Sequence, residues 1–231
     1  MATPPVIVLR PEPGFSRTME AGRRLGLAMG GTPLFRAVAV DWVPPCLTGG
    51  EMLLAGSANV FRLGGAGLDA LRHLPVLAVG MATAQAAQAA GFRVEVAGDG
   101  TLQDLVDAGA GNRRAMVRLC GRERVAVAVR PGQHVEEISV YEMQPLPLPG
   151  SLAETLSGGA IALLHSAAAA REFASECNRL GVALDNVAII AMAPRIAAAA
   201  GDGWKETAVS PSPQDSAVLA IALAMCKKWH I

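Results

Sequence analysis

Two serines hold matching places in the chain, and both could bind an anion. Each follows an apolar run typical of a buried strand, Met52–Ala55 before Ser57 and Ile161–Leu164 before Ser166, and each opens a predicted helix. Serine is a favoured N-cap, and the free N–H groups at a helix N-terminus can bind carboxylate or phosphate. Taken alone, each serine could equally do no more than cap its helix.

The serine turns belong to a longer internal repeat. Val79-Gly80-Met81-Ala82 is echoed by Ile190-Ala191-Met192-Ala193, and Gln103-Asp104 by Gln214-Asp215, in the same order and at nearly one offset. The repeat indicates two similar α/β units, which predicts a cleft between them. Open α/β sheets bind ligands at the carboxyl ends of their strands, where these turns would lie.

Tyr141 is the only tyrosine, and it lies in the β-like stretch 138–142. Its ring could simply pack. At a hinge facing a cleft, its hydroxyl could instead donate a proton or a hydrogen bond. The residues alone leave both interpretations open.

Other kinds of chemistry have little support. The cysteines form no C-x-x-C pair and the histidines show no ligand spacing, so we expect no metal site, buried free thiols and a packed His165. Gly65–Ala70 matches G-x-G-x-x-A but follows a helical stretch, whereas a dinucleotide site needs a strand there. The residues in question are Cys46, Cys120, Cys177, Cys226, His73, His134, His165 and His230.

Composition describes a globular chain with no broad charge. Its 231 residues are 52% hydrophobic and 17% charged, with a formal net charge of +0, which argues against a basic nucleic-acid-binding face. The longest apolar run, 217–226, is too short to span a bilayer and predicts a buried C-terminal helix.

Apolar runs predict strands at 6–9, 52–55, 76–79, 94–97, 116–119, 125–129, 161–164, 187–190 and 207–209. Helices are expected at 15–29, stopped by Gly30-Gly31, and at 82–90, closed by Gly91. Thr101 and Asp104 have the spacing of a capping box. Strand–helix alternation of this kind is typical of parallel sheets covered on both faces.

The predicted fold is α/β, with two similar doubly wound parallel-sheet domains joined by a two-stranded linker and an active cleft between them. The first strand–helix unit has no repeat partner, so we assign it to the domain that the second half builds. One domain would comprise 1–35 plus 147–231 and the other 41–137. Residues 36–40 and 138–146 would be antiparallel linker strands, and Pro145, Pro147 and Pro149 would stiffen the second crossing.

The chain resembles the uroporphyrinogen-III synthase family over nearly its whole length. The resemblance rests on motifs that are individually degenerate but specific in their order and spacing. They are Val8–Pro11, Gly56–Val60, Ala78–Ala84 with Gly91-Phe92, Leu119–Arg122, Val140-Tyr141, and Leu164–Ser166 with Phe173.

The resemblance implies an enzyme that closes linear hydroxymethylbilane with loss of water and inversion of the last ring, without metal or cofactor. It places Tyr141 near the leaving hydroxyl, and the terminal turns against substrate carboxylates. The implied binding residues are Arg10, Ser57, Ala58, Asn59, Gly80, Met81, Thr83, Gly121, Arg122, Ser166, Ala167, Ala193 and Arg195. Family members often carry Thr in the turn at 193–196, where this chain has no hydroxyl.

We further expect a cytoplasmic monomer that binds neither nucleic acid nor membrane. A transient contact with the preceding pathway enzyme stays an open alternative. The competing hypotheses are a non-catalytic two-domain module that closes on a small anion and, with less support, a dinucleotide-dependent oxidoreductase.

Overall fold

The computed structural model describes residues 3–98, 100–109 and 115–229. The chain divides into two compact units. Unit 1 is formed by Met1–Arg36 with Pro145–Ile231, and unit 2 by Ala37–Gln144. The chain therefore begins unit 1, builds unit 2 and returns.

Helices and strands alternate along most of the chain. In order they are β1 (Val6–Val8), α1 (Gly14–Arg24), β2 (Met29–Gly31), β3 (Phe35–Ala39), β4 (Met52–Ala55), α2 (Asn59–Leu63), a 3₁₀ helix (Gly65–Leu71), β5 (Val76–Val79), α3 (Met81–Ala89), β6 (Val94–Gly98), α4 (Leu102–Gly109), β7 (Ala115–Gly121), β8 (His134–Pro145), α5 (Gly150–Ser157), β9 (Ala160–Leu164), α6 (Ala167–Arg179), a 3₁₀ helix (Leu184–Asn186), β10 (Val187–Ala191), α7 (Pro194–Ala200), β11 (Glu206–Val209) and α8 (Asp215–Lys228).

The internal repeat of the sequence is also a repeat of topology. Unit 1 contains a parallel sheet in the order β11-β10-β9-β1-β2. Unit 2 contains the order β6-β5-β4-β7-β8, also parallel, and adds β3 at the β8 edge. Strands β4, β5 and β6 thus correspond to β9, β10 and β11, and the predicted α/β fold with two parallel sheets is confirmed.

The inner strands of each sheet, such as β1, β4, β9 and β10, are wholly apolar and buried on both faces. In β1, Ile7 belongs to one hydrophobic cluster while Val6 and Val8 belong to the cluster on the opposite face. The first cluster includes Phe173 stacked on Trp204, with ring centroids 5.4 Å apart. Two-sided burial is the usual arrangement of parallel sheets whose crossovers are helices.

Strands β3 and β8 run antiparallel where the chain passes from one unit to the other. Leu146 N donates to Leu34 O, and Val40 N donates to Val140 O. Partner numbers rise on one strand as they fall on the other, which is the antiparallel pattern. These strands overlap the stretches 36–40 and 138–146, whose role as a linker stays a prediction.

The helix predicted at 15–29 is wrong at its C-terminal end. Helix α1 stops at Arg24, Gly26 turns the chain with a φ of 79°, and residues 29–31 form β2. Glycines 30 and 31 therefore belong to a strand. Gly31 is required there, because a Cβ atom on it would lie 2.1 Å from the carbonyl oxygen of Val8 on the neighbouring strand.

The strand predicted at 125–129 is also wrong. The segment alternates Val and Ala but forms no strand, and Val125 is 83% exposed. The side chain of Gln103 takes the place of a neighbouring strand, since its Oε1 accepts from Ala128 N and its Nε2 donates to Ala128 O. This pairing satisfies the N–H and C=O of Ala128 without a sheet.

Smaller predictions had mixed outcomes. Thr101 and Asp104 form the capping box, each accepting a hydrogen bond from the other's backbone N–H. All four cysteines are free, but Cys46 is exposed, so the expectation of buried thiols fails there.

No helix in the described residues is long and apolar enough to cross a membrane. Within the same residues no cluster of three metal-ligating side chains occurs, and His230 lies outside them.

Candidate active site

Ser57 forms the turn at the carboxyl end of β4. Its Oγ accepts a hydrogen bond from Asn59 N at 3.2 Å, and its carbonyl oxygen accepts from Val60 N. Ser57, Ala58 and Asn59 are not fully buried, so the turn is partly accessible to solvent. The N-cap of α2 is Ala58 and makes no side-chain cap, so the prediction that Ser57 caps this helix is wrong; Ser57 forms the turn just before it, and its accessibility leaves the binding role open.

Tyr141 lies just beyond a bulge in strand β8. Cys120 pairs with Ser139, but the next residue, Gly121, pairs with Tyr141, so Val140 is an extra residue and is fully buried. Bulges re-aim the side chains that follow them. Arg122 N donates to Tyr141 O at 2.9 Å, which fixes the backbone of the tyrosine against the end of β7.

Ser57, Gly121 and Tyr141 line one pocket of about 140 Å³ in unit 2. The pocket also includes Cys120, whose thiol pKa is raised by burial, so this sulfur is a poor nucleophile at neutral pH. The structure thus brings together three residues that the sequence singled out. The remaining lining residues are Gly56, Arg118, Leu119, Glu123 and Arg124.

A part-buried ion triplet borders this pocket. Arg118 Nη1 contacts Glu137 Oε1 at 2.5 Å, and Arg124 Nε contacts Glu137 Oε2 at 2.6 Å. Burial raises the pKa of Glu137, but hydrogen bonds and charges from Arg124 and Arg118 outweigh it and hold the pKa below its usual value. Glu137 is therefore ionised at neutral pH.

Arg122, a predicted binding residue, pairs with Glu142 and not with Glu137. Its Nε lies 3.2 Å from Glu142 Oε2, and its side chain is 65% exposed. An exposed pair of this kind contributes little to stability, so Arg122 is free to exchange partners.

Gly80 is the N-cap of helix α3 in unit 2. Gly80 has a φ of 77°, which favours glycine, and its N–H donates to Gly98 O at 2.7 Å. Met81 is exposed, whereas Thr83 is only 5% exposed and its N–H donates to Gly80 O. Binding through Thr83 stays a prediction, and the accessible part of this turn is at Met81.

In unit 1, Ser166 is the N-cap of α6. Its Oγ accepts from Ala169 N at 3.1 Å, and the residue itself is exposed. Ala167, at the first helical position, is half-buried. With Ala169 N taken by Ser166, the N–H groups of Ala167 and Ala168 are those of the first turn that have no partner within the helix.

Arg10 is bound within unit 1 to an acid that the sequence did not single out as a ligand. Its Nη1 lies 2.7 Å from Asp215 Oδ1, at the start of α8, and Thr18 donates to the other carboxylate oxygen. The pKa of Asp215 is lowered to about 2 by His165 first, with Thr18 and the charge of Arg10 adding to the effect against burial. Arg10 thus positions α8.

His165 packs beside this carboxylate, as expected of a packed imidazole. Its side chain is 6% exposed and Nε2 lies 3.2 Å from Asp215 Oδ1, close enough to interact electrostatically. Neither ring nitrogen has a partner with hydrogen-bond geometry among the described residues.

Ala193 and Arg195 form the turn that lacks a hydroxyl. Ala193 is the N-cap of α7, Pro194 is its first residue, and Ile196 N donates to Ala193 O at 2.9 Å. Proline has no N–H to offer a ligand. Arg195 is exposed, with no ion pair to any described residue, so its guanidinium is the available donor here.

Sequence reasoning missed Arg118, Arg124 and Glu137. A detectable signal existed, because Arg118 interrupts the otherwise apolar run 115–121 and is only 6% exposed. A charge inside a buried strand requires a partner. The dinucleotide alternative loses its remaining support, since residues 65–71 form a 3₁₀ helix and the element directly before them is helix α2, not a strand.

The duplicated sheets, with accessible turns at the ends of their strands, define a repeated α/β protein. The family model of uroporphyrinogen-III synthase HemD matches residues 46–220, well over half of the chain. The chain belongs to this family.

A solved structure agrees on the fold. Uroporphyrinogen-III synthetase from Helicobacter pylori 26695 matches with a TM-score of 0.65 and 16% identity, covering 96% of this chain and 99% of that one. A mutant uroporphyrinogen III synthase from the extremely thermophilic bacterium Thermus thermophilus gives 0.49 and 17%, covering 97% and 99%. The wild-type form-2 crystal gives 0.42 and 18%, with the same coverage. No curated protein sequence matches significantly.

Proposed function

We propose that this chain is a uroporphyrinogen-III synthase, a cofactor-independent lyase that cyclises hydroxymethylbilane and inverts its last pyrrole ring. The family match over residues 46–220 carries the proposal. The alternative of a non-catalytic anion-binding module is not favoured, because the matched family is one of synthases.

The reaction begins when the carbon–oxygen bond of the hydroxymethyl group breaks and the hydroxyl leaves as water. The azafulvene cation that remains is attacked by the substituted carbon of the last ring, which forms a spiro intermediate. Rearrangement inverts that ring before the macrocycle closes. Both ends of a flexible molecule must be held together, so restricting their freedom is the main contribution expected of the protein.

Tyr141 is proposed as the acid for the leaving hydroxyl. It is half-buried, lies in a pocket with Ser57, and its backbone is fixed by Arg122 N at 2.9 Å. A positioned proton donor contributes about 10²–10⁴-fold to such a step. The bulge at Val140 supports this role because it determines where the tyrosine side chain points.

The helix-terminal turns are proposed to bind the acetate and propionate groups on each ring. Ser57, Ala58 and Asn59 would act in unit 2 together with Gly80, Met81 and Thr83. Helix N-termini suit carboxylates because their free N–H groups and dipole are positive. The further proposed binding residues are Gly121, Arg122, Ser166, Ala167, Ala193 and Arg195, with Arg10 acting through its contact with Asp215 at the start of α8.

Freshly prepared hydroxymethylbilane tests the proposal. The purified protein should convert it to the III isomer faster than it closes spontaneously to the I isomer. The I isomer alone would refute the assignment.

We also propose a cytoplasmic monomer that uses a small-molecule tetrapyrrole substrate. Four free cysteines support a reducing compartment, where disulfides are rare. Sedimentation at micromolar concentration tests the oligomeric state, and a transient complex with the preceding pathway enzyme would appear as a faster-sedimenting species when both are mixed.

A further inference from the structure

In the Arg118–Glu137–Arg124 triplet, the carboxylate holds Arg124 in place as well as neutralising charge. Glu137 shares its two oxygens between Arg118 Nη1 and Arg124 Nε. Arg118 is nearly fully buried on β7, so it anchors the carboxylate, and the carboxylate in turn anchors Arg124. Two guanidinium groups on one carboxylate leave one positive charge without a counter-charge inside the triplet.

Arg124 has N–H groups that no described residue accepts from. Its Nε is used by Glu137, and its Nη1 donates to Arg122 O at 3.0 Å and is 3.5 Å from Ser139 Oγ. In the part of the chain that the structure describes, Nη2 has no hydrogen-bond partner. The side chain is 34% exposed and lines the pocket that contains Ser57 and Tyr141.

The charges around this pocket favour an anion. Arg118 and Arg124 both line it, whereas Glu137, which contacts both, is not among its lining residues. Glu123 also lines the pocket, but it is exposed and its charge is screened by solvent. A planar guanidinium held by two fixed contacts is already oriented to bind a carboxylate.

We propose that Arg124 binds a substrate carboxylate in the pocket between Ser57 and Tyr141, and that Glu137 is the positioning residue that holds Arg124 there. The inference rests on the proposed function for the identity of the carboxylate, an acetate or propionate group on a pyrrole ring. A ring held by this group would lie beside the Tyr141 hydroxyl. Arg124 would therefore contribute binding energy to this ring equally in the substrate and in the transition state.

Steady-state kinetics with hydroxymethylbilane test the proposal through the R124Q, R124K and E137Q variants. R124Q should raise KM about tenfold or more while kcat changes little, because a contact made equally in substrate and transition state acts on KM. R124K should recover part of the loss, since it restores charge but not the guanidinium fork. E137Q should raise KM less than R124Q.

R72Q is the matched control, because Arg72 is also an ion-paired arginine of unit 2, 2.7 Å from Asp69, but lies outside this pocket. Its KM should equal that of the parent protein. Circular dichroism and thermal melts confirm that each variant is folded. An unchanged KM in folded R124Q would overturn the proposal.

Direct binding separates this inference from the proposed function. Quenching of tryptophan emission by uroporphyrin III, an octacarboxylate, should report binding about tenfold weaker to R124Q than to the parent or to R72Q. If the parent makes no III isomer but R124Q still binds uroporphyrin III more weakly, the proposed function fails and the carboxylate site stands. If the parent makes the III isomer and R124Q binds equally well, the site fails and the function stands.

Discussion

Gly121 and Tyr141 are packed so closely that no side chain fits between them. A Cβ atom on Gly121 would lie 2.9 Å from Tyr141 Cζ and 3.1 Å from its hydroxyl oxygen. Carbon atoms in contact are normally about 3.5–4.0 Å apart. The glycine at the end of β7 thus makes room for the tyrosine that the bulge in β8 directs into the pocket.

Replacing Gly121 with alanine should therefore displace Tyr141 without unfolding the protein. The atom in the way is the far end of a side chain, which can rotate aside at little cost. We expect kcat to fall about tenfold to a hundredfold, following the misplacement of a catalytic group. G150A is the control, because nothing lies within 4 Å of a Cβ at Gly150. Equal turnover in G121A and the parent would show that the tyrosine position is unimportant.

Tyr141→Phe removes the hydroxyl and keeps the ring. If Tyr141 protonates the leaving hydroxyl, kcat should fall about 10²–10⁴-fold, while KM and the melting temperature stay close to those of the parent. Initial rates of III-isomer formation, measured with a folded variant, check this. Turnover within about twofold of the parent would remove Tyr141 from the mechanism.

Asp215→Asn should destabilise unit 1 in a pH-dependent way. The folded-state pKa of about 2 lies below the ordinary 3.8, so ionised Asp215 stabilises the fold above pH 3.8, and this stabilisation is lost as the pH falls through about 2. At pH 7 the variant should lose about 2 kcal/mol of unfolding free energy. Urea unfolding at pH 7, 4 and 3 should show the difference shrinking at the acid end. A difference independent of pH would contradict the carboxylate pairing.

Glu176→Gln should weaken the anchor of the returning chain. Glu176 is 7% exposed; its Oε2 accepts from Leu148 N at 2.6 Å, and Arg179 binds both its oxygens. The hydrogen bond from Arg179 lowers its pKa, so the charge is present at neutral pH. We expect a loss of about 1–3 kcal/mol in chemical denaturation. The exposed Glu154→Gln serves as control, and equal stabilities of the two variants would exclude the anchoring role.

The sequence was informative wherever burial decided the structure. The apolar runs at 52–55, 161–164 and 187–190 became strands of two matching sheets, because only two-sided burial suits such runs. The same reasoning failed where a contact distant in sequence decided. Gly31 is a strand residue because it approaches Val8, and in the segment 125–129 the backbone of Ala128 is paired with the side chain of Gln103.

The candidate site was only partly predictable for a related reason. Ser57 and Tyr141 were identified from their local patterns, but Arg124 joins them through Glu137, thirteen residues further along the chain. That contact depends on the register between β7 and β8, which a sequence pattern does not specify. The repeated Asp residues likewise differ in role, since Asp104 caps its own helix while Asp215 pairs with Arg10.

The product isomer tests the central claim most directly. Freshly prepared hydroxymethylbilane is incubated with the purified protein and, in parallel, with Y141F and with buffer, and the oxidised products are separated by chromatography. The account predicts the III isomer as the main product of the parent protein, a much slower appearance of it with Y141F, and the I isomer in buffer. The I isomer at the buffer rate with the parent protein would contradict the account.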